Sequence, residues 1–183
     1  MIRVPQLETE RLILRMWNKG DAFDLYEYAK DPDVGPHAGW KPHADPEESR
    51  LIITELFRSN MTWCITEKGG DKPIGSIGLE PDSIRRDIKS KEMGYSLAKD
   101  RWGRGYMTEA AMRLIEYAFE VIKLDVLMIR TSDSNLRSQR VIEKCGFQYE
   151  GTFRKAYKIY DGSLREIRCY SMLREEYETI YKG

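Results

Sequence analysis

Apolar and polar positions change rhythm several times along the chain, and each change marks an element. Met107, Ala110, Ala111, Leu114, Ile115, Ala118, Phe119 and Ile122 recur at i, i+3, i+4 spacing, which predicts one strongly amphipathic helix. Glu109 lies in its first turn, where the helix dipole favours an acid. A second helix follows the caps Asn18 and Asp21, carries Ala22, Leu25, Tyr26 and Ala29 on one face and stops near Asp31-Pro32. A third opens at Asp45-Pro46-Glu47-Glu48, with a cap, a first-turn proline and two acids, and runs through Leu51, Ile52, Leu56 and Phe57. A fourth opens at Asn135 and Ser138 and ends at Cys145-Gly146. Short apolar or alternating runs at 11–15, 61–66, 73–79, 91–97 and 126–131 predict strands, the second and third joined as a hairpin. The tail from 149 to 173 reads as two more strands around Asp161-Gly162.

Between these elements, residues 32–46 hold four of the seven prolines, both histidines, two glycines and Trp40, and are expected to form an irregular loop. Trp40 there either plugs the edge of the core or walls a pocket. His37 and His43 have no neighbouring cysteines or carboxylate constellation, so they are expected to be surface histidines and no metal site is expected. Gly94, inside a strand pattern, predicts a bulge or a close backbone approach.

With 183 residues, 41% of them hydrophobic, the chain is expected to form one domain over 1–183. Lys plus Arg and Asp plus Glu both number 30, so no global charge recruits nucleic acid or an anionic membrane surface. Three widely spaced cysteines, Cys64, Cys145 and Cys169, fit reduced thiols. No apolar run reaches membrane-spanning length, and the start at Met1-Ile2-Arg3 lacks the apolar core of a signal peptide; a cytoplasmic location is expected.

The candidate chemistry centres on Trp102-Gly103-Arg104-Gly105-Tyr106-Met107-Thr108, between a strand and the long helix. Glycines at a helix start let backbone N–H groups turn toward a ligand, and a helix N-terminus favours an anion. A glycine pair alone favours a plain tight strand-to-helix turn over an anion site by roughly two to one.

Taken in order, Glu10-Arg11-Leu12-Ile13-Leu14-Arg15, Glu92-Met93-Gly94-Tyr95, Trp102 through Ala110, Asn135-Leu136-Arg137-Ser138 and Glu143-Lys144-Cys145-Gly146-Phe147 resemble the GNAT superfamily of acetyl-CoA-dependent N-acetyltransferases, most closely its RimJ/RimL-like branch. The resemblance implies an α/β (α+β) fold, a mixed and mostly antiparallel sheet of about seven strands, splayed at its centre and flanked by helices. It implies acetyl-CoA as co-substrate, no metal, and a primary amine as acceptor, either a protein N-terminus or a small molecule. The alternative is a module of the same fold that binds acetyl-CoA without turnover. Monomer and homodimer are both open.

Carried over by position, the resemblance makes Trp102, Gly103, Arg104, Gly105, Tyr106, Met107 and Thr108 the pyrophosphate loop. It places Leu97 and Asn135 along the pantetheine arm. Met107 stands where the superfamily usually has Gly or Ala, and Ile142 stands where many members carry a tyrosine that protonates the leaving thiolate. In the RimJ/RimL-like branch the serine corresponding to Ser138 is the usual candidate, so the resemblance makes Ser138 the general acid or thiolate hydrogen-bond donor, in addition to its contact with the cofactor, although the same serine also reads as a helix cap. Glu92 is the candidate general base, against a rim salt bridge with the Arg85, Arg86, Lys89 and Lys91 cluster, and Glu150 is the second candidate. Trp40 and Tyr157 are expected to line the acceptor pocket.

Overall fold

The computed structural model describes residues 3–58 and 60–183; the N-terminal reading at Met1 and Ile2 lies outside the described residues. Among the described residues eight strands form one sheet: β1 (Leu7–Glu8), β2 (Leu12–Met16), β3 (Met61–Glu67), β4 (Pro73–Pro81), β5 (Ser90–Leu97), β6 (Val126–Ser132), β7 (Gln148–Lys158) and β8 (Leu164–Leu173). Their order is β1-β2-β3-β4-β5-β6-β8-β7, and every neighbouring pair is antiparallel except β5 and β6. Parallel neighbours need a crossover, and the long helix α4 (Tyr106–Glu120) supplies it. The other helices are α1 (Ala22–Ala29), α2 (Gly35–Ala38), α3 (Pro46–Leu51), α5 (Leu136–Lys144) and α6 (Arg174–Lys182).

Both faces of the sheet's centre are covered, so β3 and β4 are buried along nearly their whole length instead of on alternate residues. On one face α4 presses Met107, Ala110, Ala111, Leu114, Ile115, Ala118 and Phe119 onto Leu12, Leu14, Trp63 and Ile77, and α5 adds Ile142. Each of the larger side chains contributes about 1.5–3 kcal/mol on burial. On the other face Trp17, Leu25, Tyr28, Val34 and Ile53 form a second, smaller cluster around Cys64.

Several expectations are corrected. The 32–46 stretch is not wholly irregular, because Gly35 and Pro36 open the short α2, which Gly39 closes in a left-handed conformation at φ 91°. His43 is buried instead of exposed, with its Nδ1 2.8 Å from Ser49 Oγ. Gly94 pairs with Gly78 in regular register, and a Cβ added to it would meet nothing within 4 Å, so it is neither a bulge nor a tight approach. The third helix changes pitch, with α3 passing into a π-turn over Ile52–Phe57 that sets Phe57 against Trp17, ring centroids 5.2 Å apart. The short β1 and the terminal α6 had no clear periodic signal. Among the described residues no helix is long and apolar enough to cross a membrane.

Candidate active site

The two parallel strands pair only from Ser90 opposite Val126 to Met93 opposite Ile129. Beyond that point β5 follows β4 to Leu97 while β6 follows β8 to Ser132, so a gap opens inside the sheet. The gap lies in a cleft of about 890 Å³. Side chains alternate across a strand, so Met93, Tyr95 and Leu97 belong to the α4/α5 face and Glu92, Gly94 and Ser96 to the α1/α2 face. The cleft is lined from both.

On the α4/α5 face, Gly103 and Gly105 adopt φ of 75° and 78°, the left-handed region that a side chain makes costly. The first internal bond of α4 runs from Glu109 N to Gly105 O at 3.0 Å, which leaves the amides of Tyr106, Met107 and Thr108 outside the helix ladder. The start of β2 clasps this loop. Arg11 Nη1 donates to Arg104 O at 3.0 Å, Arg11 Nε to Glu109 Oε2 at 2.6 Å, and the guanidinium lies 4.6 Å from the Tyr106 ring centre. Burial opposes the charge of Glu109, but bonds from Thr9 and Arg11 outweigh it and hold the carboxyl below its ordinary pKa. Tyr106 Oη is fixed in turn on Glu67 Oε1 at 2.7 Å.

Leu97, Trp102, Gly103, Gly105, Tyr106, Met107 and Thr108 all line the cleft, whereas Arg104 does not, its carbonyl being turned back to Arg11. Trp102 Nε1 donates to Leu97 O at 2.9 Å, so any further bond at that carbonyl uses its second lone pair. Deeper in, Asn135 caps α5 by accepting from Ser138 N at 3.2 Å, and its Nδ2 donates to His37 O at 3.3 Å. Ser138 does cap-region work through its amide, yet its hydroxyl is separate and lies 2.9 Å from Tyr95 Oη. Burial pushes the Tyr95 phenol well above its ordinary pKa, so it stays protonated at neutral pH. Sequence reasoning missed Tyr95; the signal was an aromatic residue three positions after Glu92, on the opposite face of the same strand.

On the α1/α2 face, Glu92 pairs with both nitrogens of the Arg130 fork, at 2.8 and 2.7 Å, and not with the nearby Arg85, Arg86, Lys89 and Lys91 cluster. Burial raises its pKa, Arg130 opposes the rise, and Glu80 adds to it. Glu80 stands directly across from Glu92 on β4, lines the cleft, and has no ion pair among the described residues. Glu150 is outside the cleft lining, accepting from Arg85 at 2.5 Å and from Ser171 Oγ at 2.8 Å.

A roof closes this side. Tyr157 Oη donates to Gly39 O at 3.1 Å and Arg165 Nη1 to Pro36 O at 2.7 Å, hanging the α2 loop from the β7–β8 hairpin. Trp40 is both of the things its sequence position allowed, since it packs against the smaller core cluster and lines the cleft beside Leu25, Ile52 and Phe57. No group of three His, Cys, Asp or Glu among the described residues is placed to hold a metal.

The residues fit a coenzyme A thioester by chemistry. Glycines keep side chains away from the amides that would meet a pyrophosphate, the sheet gap admits an extended arm, and hydroxyl donors stand inside it.

Comparison with known proteins agrees with this geometry. The acetyltransferase (GNAT) domain family matches residues 11–148. The uncharacterized N-acetyltransferase p20 of Bacillus licheniformis is 30% identical over 176 residues, 93% of this chain and 97% of its own. The [ribosomal protein uS5]-alanine N-acetyltransferase of Escherichia coli is 26% identical over 172 residues, 88% of this chain and 87% of its own. A crystal structure of a GNAT-family acetyltransferase from Bacillus anthracis shares the fold with a TM-score of 0.84 at 23% identity, covering 93% of this chain and 99% of that one.

Proposed function

The chain belongs to the GNAT acetyltransferase family, with relatives in the RimJ/RimL-like branch, and from that premise we propose that it moves the acetyl group of acetyl-CoA directly onto a primary amine, that of a protein N-terminus or of a small molecule. The observation that carries this is the gap between β5 and β6, open to both faces of the sheet, with the glycine nest on one side and Glu92 on the other. Acetyl-CoA supplies an acyl carbon already activated as a thioester.

Backbone amides from Gly105 to Thr108 hold the pyrophosphate, and Asn135 and the Leu97 backbone line the slot for the pantetheine arm. On the other face, the unpaired Glu80 and the Arg130-bound Glu92 draw in an ammonium head. Glu92 accepts the amine proton, a task its raised pKa favours. As the nitrogen–carbon bond forms and the carbon–sulfur bond breaks, the hydroxyls of Ser138 and Tyr95 supply hydrogen bonds and a proton to the departing sulfur, and the second proton lost by the nitrogen returns to them through solvent.

The base's load depends on the acceptor. Deprotonating a lysine amine at neutral pH costs roughly 4.6 kcal/mol and an α-amine only about 1. A carboxylate half-neutralised by Arg130 suits the second better.

The test is thiol release from acetyl-CoA against a panel of peptides and small amines, repeated with Gly105→Trp. Tight acetyl-CoA binding with no acetylated product from any acceptor would sink the proposal, as would activity untouched by the tryptophan.

A further inference from the structure

Three successive rungs of the β4–β5 ladder face the α1/α2 side of the cleft, and each is a matched pair. Ser76 stands opposite Ser96, Gly78 opposite Gly94 and Glu80 opposite Glu92, and all six line the cleft. The carboxylate rung is at the mouth, where Glu80 and Gly94 are exposed, and at the edge of the gap that opens past Met93. The hydroxyl rung is at the inner end, covered by α1, with Ser76, Ser96 and Tyr28 only 7%, 9% and 6% exposed. Between the two, the glycine rung leaves uncovered backbone, walled by Trp40, Ile52 and Phe57.

The inner hydroxyls are underused. Ser76 Oγ and Ser96 Oγ bond each other at 2.9 Å, while Tyr28 Oη, beside both, has no partner of hydrogen-bonding geometry among the described residues. Three O–H groups with one bond among them leave two hydrogens to donate, and buried polar groups are ordinarily satisfied. The missing partner is therefore an acceptor atom. Its neutrality follows from the cations around this end, which are already committed. Arg15, on the same rung across β2 and β3, holds Asp21 and Asp71, and Arg101 holds Glu67.

Strand geometry sets the length of the occupant. Four residues separate the Glu92 rung from the Ser96 rung, about 13 Å along β5, and a hydrogen bond of about 2.8 Å at each end leaves roughly 7–8 Å for the ligand. We propose that Ser76, Ser96 and Tyr28 form the acceptor's second recognition point, a subsite for a neutral oxygen carried at that distance from the reacting nitrogen on a flat apolar body lying across the two glycines. A tyrosine-like α-amine has this length, and its amine keeps the load on Glu92 light. The subsite rests on the N-acetyltransferase reading above.

The experiment compares L-tyrosinamide with L-phenylalaninamide, which differ only in the far oxygen, by kcat/KM for acetyl transfer. It uses wild type, Ser76→Ala/Ser96→Ala and Tyr28→Phe, with calorimetric binding of coenzyme A as the measure of folding. Wild type prefers tyrosinamide by about ten-fold, mainly through KM, because one buried hydrogen bond is at stake. The ratio falls to about one in the double serine variant and to an intermediate value in Tyr28→Phe; should the double variant lose coenzyme A binding, Tyr28→Phe carries the test. The same two residues placed first in tripeptides separate the sources. A preference repeated there assigns the oxygen to a protein N-terminus, and one confined to the amides assigns it to a small molecule. A ratio near one in wild type, a ratio that survives in the variants, or acetylation of other amines but of neither amide overturns the subsite alone. Wild type that acetylates no amine overturns the acetyltransferase reading and the subsite with it.

Discussion

Removing the Tyr95 hydroxyl tests the chemistry at its centre. The Tyr95–Ser138 contact is a neutral O–H···O bond of 2.9 Å, half-buried between β5 and α5. A bond of that kind contributes about 0.5–1.5 kcal/mol to stability. In a chain of this length Tyr95→Phe should lower Tm by only about 2–4 °C per kcal/mol lost, leaving a folded protein to assay. If the two hydroxyls deliver one proton to the leaving sulfur, each single variant should lose roughly 10²-fold in kcat, about 2.7 kcal/mol of transition-state stabilisation. Groups that act as one unit are not additive, so Tyr95→Phe/Ser138→Ala should be little worse than the poorer single variant. Steady-state thiol release under saturating acetyl-CoA gives kcat for all four proteins, and calorimetry confirms donor binding. Unchanged kcat in Tyr95→Phe, or losses that multiply in the double variant, would refute the shared role.

Glu92→Gln should cut kcat/KM by about 10²-fold. Its stability effect has a definite sign. Burial lifts the folded pKa of Glu92, so its contribution is full below the ordinary carboxylate pKa and is lost as pH rises through the folded value. The Tm of the variant relative to wild type should therefore rise between about pH 4 and pH 7, and a falling difference would contradict the sign. Arg11→Ala frees the loop from Arg104 O and Glu109, and should raise the KM for acetyl-CoA by about three- to ten-fold with a smaller change in kcat, on the order of 1 kcal/mol. Gly94→Val projects into open space on the α1/α2 face, so the protein should fold and bind coenzyme A normally while the acceptor KM rises several-fold; equal losses for both substrates would argue against the assignment of faces. Leu25, Ile52, Phe57 and Trp40 wall that side, so amines with an apolar body should outcompete polyamines in kcat/KM.

Most of the fold could be anticipated because its elements are periodic. Seven of the eight apolar positions assigned to the long helix lie within α4 and are buried, and Ile122, the eighth, falls just past its end, half-buried. Local chemistry was equally plain at Asp45, Asn135 and Gly146, whose caps and left-handed turn depend on few neighbours. What stayed hidden depends on contacts far along the chain. Glu92 has its partner at Arg130 and Tyr95 at Ser138, pairings that exist only once β6 and α5 are laid beside β5. The clasp of Arg11 on Glu109 spans almost a hundred positions, and no spacing rule connects them. His43 looked exposed because its loop is rich in prolines, but that loop folds back over the second core.

The two-faced gap has a consequence for kinetic order. The donor and acceptor sites proposed above lie on opposite sides of one sheet and meet at the opening between β5 and β6. No acyl group needs to be parked on the protein while one substrate leaves to make room for the other. Both can be present together, so double-reciprocal plots at several fixed acceptor concentrations should intersect rather than run parallel. The roof hung from Tyr157 and Arg165 also reaches Asn135, which donates to His37 O at 3.3 Å, so its movement would be felt on both sides of the opening.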